Sequence, residues 1–169
     1  MIAMQTAAAG HVGLARLEKS DGEALRRLFF RLSPETVYRR FHSPIVRPEQ
    51  AHPERLLDVD HHDREAVVAV VDGEIIGVAR YARWSGTDRA DLAVVVADDW
   101  QRQGLATRML SALAERAEVE GIQTFTASVQ GDNQPTLGLL RRFRPTEKAT
   151  FADGLVEMTL PVRAQDVVR

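Results

Sequence analysis

At 169 residues the chain suits one domain with a self-sufficient core, and its lack of cysteine rules out disulfides, thiolate metal sites and cysteine nucleophiles. Lysine and arginine number 22 against 24 acids, a formal charge of −2, which gives no general pull towards nucleic acid or an anionic membrane. The start, MIAMQTAAAG, has no basic n-region, and no window approaches the ~20 apolar residues of a membrane span, so a cytoplasmic protein with a flexible tail over 1–10 is expected.

In chain order, Val12 to Leu17 alternates weakly and is expected to be a first strand. Ser20-Asp21 reads as a cap for a helix from Gly22 to Leu32 that turns Leu25, Leu28, Phe29 and Leu32 to one face. Ser33-Pro34-Glu35 has the form of an N-cap followed by proline at the first helical position, opening a second helix through Phe41. HSPIVRPEQAHPER carries three prolines and reads as loop around a short helical turn, extending to Leu57. The strongest hairpin signal follows: Glu65 to Val71 and Ile75 to Trp84, apolar and rich in β-branched residues, flank Asp72-Gly73-Glu74. Ala90 to Ala97 is a further strand. Gly104 to Glu120 has helical periodicity through Leu105, Met109, Leu110, Leu113 and Ala117, with Gly121 as C-cap. Thr124 to Val129 reads as a strand. Asn133 to Arg142 reads as a helix, with Pro135 tolerable in its first turn. A last hairpin joins Glu147 to Phe151 and Leu155 to Leu160 through Asp153-Gly154. Hairpin strands with interspersed helices argue for a mixed α/β layer fold.

The richest stretch lies between Ala90–Ala97 and the helix that follows: Gln101, Arg102, Gln103, Gly104, Leu105, Ala106. A helix N-terminus offers unpaired backbone N–H groups and a favourable dipole to an anion, and Gly104 would let an oxygen approach closely. Arg102, with Gln101 and Gln103 as neutral donors, could add hydrogen bonds to a pyrophosphate. An ordinary strand-to-helix turn with polar residues facing water accounts for the same letters. Neither G-x-G-x-x-G nor G-x-x-x-x-G-K-[ST] occurs, so the two familiar phosphate loops are excluded. A G-x-S-x-G elbow is missing too, against a serine hydrolase.

Gln101 to Ala106 resembles the Q/R-x-x-G-x-G/A signature of the GCN5-related N-acetyltransferase (GNAT) family, in that family's position after a strand and at the start of a long helix. The order of elements from Val12 to Leu160 is similar as well. FFRLSPETVYRRFHSP, RADLAVVVADDWQRQGLAT and GDNQPTLGLLRRF resemble the subgroup that includes acetyl-CoA-dependent bacterial protein lysine acetyltransferases. The resemblance implies a single α+β domain over 11–162 with a short tail over 163–169. Its central sheet would be mixed and mostly antiparallel, of six to seven strands flanked by helices, with two strands splayed to hold CoA. It implies acetyl-CoA as co-substrate, an amine acceptor (protein lysine or small molecule), direct transfer with a carboxylate base, and a family in which homodimers are common.

On that resemblance the splayed strands are Ala90–Ala97 and Thr124–Val129. The pantetheine arm would pair with the backbone of Val94, Val95 and Val96. The pyrophosphate would lie over Gln101, Arg102, Gln103, Gly104, Leu105, Ala106 and Thr107, whose hydroxyl could add a bond, and Asn133 matches an asparagine that contacts the arm. A lysine pKa of ~10.4 requires a base or selection of the neutral amine. Asp91 is the candidate base, where the subgroup often has glutamate; a solvent-facing strand residue is the other reading. The backbone N–H of Val95 or Val96 would meet the oxyanion. The usual tyrosine acid is replaced by Leu140, which motivates an alternative function: a CoA-binding sensor or interaction module on the same fold. Tyr38 and Tyr81 are the chain's tyrosines, and packing or structural roles are expected for both.

Other features carry plainer readings. Asp60-His61-His62-Asp63 contains metal-ligand types, but adjacent histidines point apart and no third cluster completes a site, so no metal is expected. Arg39-Arg40 and Arg141-Arg142 read as solvated helix faces, Glu74 as a solvated turn residue, and Asp98-Asp99 as a turn cap. The Pro-rich stretch from His42 to Asp60 is expected to line the acceptor side.

Overall fold

The structure, a computed structural model, describes residues 11–41 and 53–164. The expected tail over 1–10, the Pro-rich stretch over 42–52 and the end of the C-terminal tail lie outside the described residues. Seven strands form one mixed sheet: β1 (Gly13–Arg16), β2 (Arg64–Val71), β3 (Glu74–Arg83), β4 (Arg89–Val96), β5 (Thr124–Gln130), β6 (Lys148–Ala152) and β7 (Leu155–Pro161), in the spatial order β1-β2-β3-β4-β5-β7-β6. Every pairing is antiparallel except β4 with β5. Among the described residues four helices flank it: α1 (Gly22–Arg31), α2 (Pro34–Phe41), α3 (Leu105–Val119) and α4 (Gln134–Phe143).

The turns follow from their residues. Asp72 and Gly73 have φ of 49° and 79°, and Asp153 and Gly154 have 53° and 78°. Two consecutive left-handed residues give the turn whose twist matches paired strands, which is why Asp-Gly recurs at both hairpins. Ser33 caps α2 as expected, its Oγ accepting from Thr36 N at 3.2 Å. Asp21 precedes α1, but its carboxylate accepts from Glu18 N at 2.8 Å and stabilises a short 3₁₀ turn, Lys19–Asp21, instead of capping the α-helix. The C-terminus of α3 closes through Ile122 N to Ala117 O (3.0 Å) and Gly121 N to Glu118 O (3.1 Å), with Gly121 left-handed at φ 76° and Ile122 buried. A 3₁₀ turn spans Pro53–Leu57.

Side-chain alternation sorts the sheet into two faces. A Cβ on Gly77 would meet Met109 Cε at 2.8 Å, so this face of β3 carries α3. Ala79 and Tyr81 share it, and Leu105, Met109, Leu110, Leu113, Ala114 and Ala117 of α3 are buried there. Val78, Arg80 and Ala82 therefore point to the opposite face, with their β4 partners Val95, Ala93 and Asp91. That face is bordered by α2, and over β4 and β5 it holds a cleft of about 1280 Å³.

Candidate active site

The cleft exists because β4 and β5 pair only briefly. Their parallel ladder holds Arg89↔Thr124, Ala90↔Phe125 and Asp91↔Thr126, and then the strands separate. β4 stays paired with β3 throughout, from Ala90 to Val96. Two bonds fix which backbone groups face β3: Trp84 N to Arg89 O and Ala97 N to Ile76 O, both 2.8 Å. In an antiparallel ladder these directions alternate residue by residue. Val95 thus spends its N–H and C=O on β3, while Leu92, Val94 and Val96 turn theirs into the gap. Of the two amides expected to meet an oxyanion, Val96 faces the gap and Val95 does not.

The loop above the gap has the backbone of an anion cradle. Asp98–Trp100 forms a 3₁₀ turn, Gln101 is extended, and Arg102 and Gly104 are left-handed at φ 64° and 78°. Left-handed residues in a loop turn successive N–H groups towards one point. Gly104 occupies the N-cap of α3 with no side-chain cap, which leaves the first-turn N–H groups of Leu105, Ala106 and Thr107 for another acceptor. A Cβ on Gly104 would meet nothing within 4 Å, so the space before it is open and its glycine is required by φ.

The glutamine side chains do other work. Gln101 Nε2 donates to Val96 O at 3.0 Å and lies 3.4 Å from Thr36 Oγ1, tying the loop to β4 and α2. Gln103 Nε2 donates to Asp99 O at 3.3 Å, and Gln103 does not line the cleft. Arg102, Gly104, Leu105, Ala106 and Thr107 do line it. Leu105 buries its side chain in the core and has only its backbone to offer. Asn133, buried in the wall, caps α4 by accepting from Thr136 N at 3.3 Å, which orients its amide.

Asp91 stands at the apex where the strands part. Its Oδ1 accepts from Thr126 Oγ1 at 2.7 Å and from Trp84 Nε1 at 2.9 Å. Two donors on Oδ1 fix the carboxylate's orientation, and Asp91, an exposed residue, lines the cleft. Trp84 and Thr126 were not singled out in the sequence. Thr126 is legible only once its register opposite Asp91 is known.

Neither tyrosine supplies an acid. Tyr81 is fully buried on the α3 face, donates to His62 O at 3.0 Å, and burial followed by repulsion from Glu65 pushes its pKa up. Tyr38 is exposed on α2 and does not line the cleft. Leu140 is packed in the core.

Arginine is the larger surprise. Arg39, Arg40, Arg80, Arg102 and Arg142 line the cleft against two carboxylates, Asp91 and Glu157, although the chain as a whole is slightly acidic. The expectation of solvated faces fails for the half-buried Arg39 and Arg40, because α2 forms a wall of the cleft, whereas Arg142 on α4 borders the cleft and stays exposed. Burial, then repulsion from Arg80, brings the Arg40 pKa down to about 10. Asp98 also differs from a simple turn cap. It accepts from Ser33 N (2.9 Å), Ser33 Oγ (2.8 Å) and Thr36 Oγ1 (2.7 Å), fastening α2 to the cradle loop. Burial opposes its ionisation, yet the bonds from Thr36 and Ser33 outweigh that and hold its pKa below the usual value. Glu74 pairs with Arg27 at 3.1 Å and Arg31 at 3.0 Å, stapling the β2–β3 hairpin to α1.

His61 and His62 point to different partners. His61 contacts Glu65 (2.8 Å) and Glu18 (3.2 Å), whereas His62 contacts Glu120. Glu65, wholly buried, is also paired with Arg16 at 2.7 Å. This network supports the start of β2 on the far side of the sheet from Asp91's cleft.

A mixed sheet with a splayed parallel pair, closed by a left-handed glycine loop at a helix mouth, matches one family of known proteins. The Acetyltransferase (GNAT) family matches residues 25–144. An acetyltransferase of Pseudomonas aeruginosa is 34% identical over 117 residues, covering 67% of this chain and 63% of that protein. Acetyltransferase Pat of Mycolicibacterium smegmatis is 34% identical over 113 residues, 65% of this chain and 34% of Pat. The crystal structure of the GNAT domain of S. lividans PAT superposes with a TM-score of 0.80 at 26% identity, covering 90% of this chain and 91% of that one. The chain belongs to the GNAT family of acyltransferases. It spans 63% and 34% of the lengths of the two relatives.

Proposed function

We propose that the protein is an acetyl-CoA-dependent N-acetyltransferase that moves the acetyl group directly to a primary amine, with Asp91 as base. The observation that carries this reading is the three-pair β4–β5 ladder ending at Asp91↔Thr126, with the backbone of Val94 and the N–H of Val96 facing the gap beyond it. An extended pantetheine can bond to that edge as an added strand would. Its pyrophosphate would reach the N–H groups of 102–107, with Thr107 Oγ1 and Arg102 alongside. At about 1280 Å³ the cleft exceeds the roughly 300–1000 Å³ of single-ligand pockets and has room for two reactants.

In this arrangement the amine nitrogen attacks the thioester carbonyl carbon. Asp91, held by Thr126 and Trp84, takes the amine proton on its carboxylate, directly or through a water. The N–H of Val94, which faces the gap three residues beyond Asp91, stabilises the oxyanion, the C–S bond breaks, and the thiolate takes a proton from water. No tyrosine hydroxyl among the described residues reaches the cleft, and a CoA thiol is acidic enough to leave without one.

That same gap in the acid role favours a second reading, a CoA-binding module with little turnover. Calorimetry with acetyl-CoA and thiol release across amines and lysine peptides separate the two. Binding with turnover supports the enzyme, binding without turnover the module, and no binding contradicts both.

A further inference from the structure

The acceptor half of the cleft contains a cation, Arg80, that is in no hydrogen bond or ion pair among the described residues. Arg80 sits mid-strand on β3, pairs with Ala93, and shares its face with Asp91, whose own partner is Ala82. The two are therefore diagonal neighbours across the β3–β4 ladder, close enough for one small molecule to touch both. Ala82 and Ala93, which complete this patch, are short and leave the floor between them open. Among the described residues Arg80 makes no hydrogen bond and no ion pair, whereas its neighbour on the rim, Arg39, is paired with Glu35 at 2.8 Å. Burial, followed by repulsion from Arg64, lowers the Arg80 pKa, with Asp58 and Asp91 opposing. A partly desolvated guanidinium whose donors are not bonded to a carboxylate is costly, and its planar fork suits one.

We propose that the amine acceptor carries its own carboxylate, which Arg80 holds while the amine is presented to Asp91. This rests on the N-acetyltransferase reading and narrows it to amino acids and similar carboxylate-bearing amines over neutral or cationic peptides. A zwitterion fits the patch end to end: its carboxylate meets Arg80, and its ammonium meets the Asp91 carboxylate that will deprotonate it. Arg40, on α2 beside Arg80, reinforces the positive potential at the carboxylate end.

The test compares free L-amino acids with their own carboxamides, which keep the amine and lose the charge. Thiol release with saturating acetyl-CoA is expected to favour the free acids by about tenfold to a hundredfold in kcat/KM, the range for a charged hydrogen-bonded contact. In Arg80→Met the acid-to-amide ratio is expected to collapse towards one through a higher KM for the acids, with Arg80→Lys intermediate and the KM for acetyl-CoA held. Equal use of acids and amides by the wild type would overturn the proposal. So would an Arg80→Met defect confined to acetyl-CoA, which would give Arg80 to a CoA phosphate. Calorimetry of acid against amide with CoA bound reads the same preference without turnover: tighter binding of the acid supports it, equal binding overturns it. Absence of thiol release from every amine would instead count against the acetyltransferase reading itself.

Discussion

Asp91 acquires meaning from two neighbours that a linear reading does not connect to it. The carboxylate at the head of β4 was legible as a candidate base, with a solvated strand residue as the competing account. Thr126 and Trp84, 35 and 7 residues away in sequence, fix its Oδ1. Asp91→Asn keeps the shape and removes the base. It is expected to lower kcat/KM by about 10²–10⁴, with circular dichroism and acetyl-CoA calorimetry reporting an intact, binding-competent protein; wild-type turnover would remove Asp91 from the mechanism. Gly104 was legible by type, but the reason for it is its φ of 78°. Gly104→Ala is expected to cost about 1–2 kcal/mol, the penalty of a left-handed L-residue. A parallel rise in the KM for acetyl-CoA is expected, and an unaltered KM would count against the cradle. His62 offers a pH reading. Its bond to Glu120, opposed by burial and aided by Asp63, raises its pKa above ~6.5. Stability from this pair is full below the ordinary value and fades as pH climbs through the raised one. An NMR titration of the ring should shift down towards the ordinary value in Glu120→Gln.

Elements were more legible than their junctions. The two Asp-Gly hairpins, the Ser33 cap and Gly121 each have local chemistry that dictates backbone shape, and the strands and helices they bound lie close to the expected residues. What the letters did not reveal was how elements meet. Arg39 and Arg40 read as a solvated pair because helical periodicity describes only α2's own faces, not the cleft it borders. Gln101 and Gln103 looked like phosphate donors, but carbonyls of Val96 and Asp99 lie nearer. Asp98 joins α2 to the cradle loop across 65 residues of sequence, through Ser33, and no periodicity encodes that. Asp98→Ala removes three accepted bonds and uncaps α2 from outside. It is expected to destabilise the fold by about 0.5–2 kcal/mol, the range for a lost cap, and to weaken acetyl-CoA binding by loosening the loop. Chemical denaturation and calorimetry measure the two effects, and loss of stability with undiminished binding would separate α2 from the loop's function.

For the whole molecule, the arrangement of layers was legible because hairpins, a long amphipathic helix and a glycine loop come in a fixed order that the GNAT family shares. The cleft was legible at the glycine loop, where backbone geometry leaves a motif. Its acceptor side was not, because Arg80, Ala82 and Ala93 converge only through strand register. The central claim is that acetyl-CoA fills the gap between β4 and β5. A crystal structure of the acetyl-CoA complex tests it most directly. The pantetheine is expected along the Val94 and Val96 backbone, the pyrophosphate over residues 102–107, and the thioester within reach of the Asp91 carboxylate. Acetyl-CoA bound elsewhere, or Asp91 remote from the thioester, would contradict it.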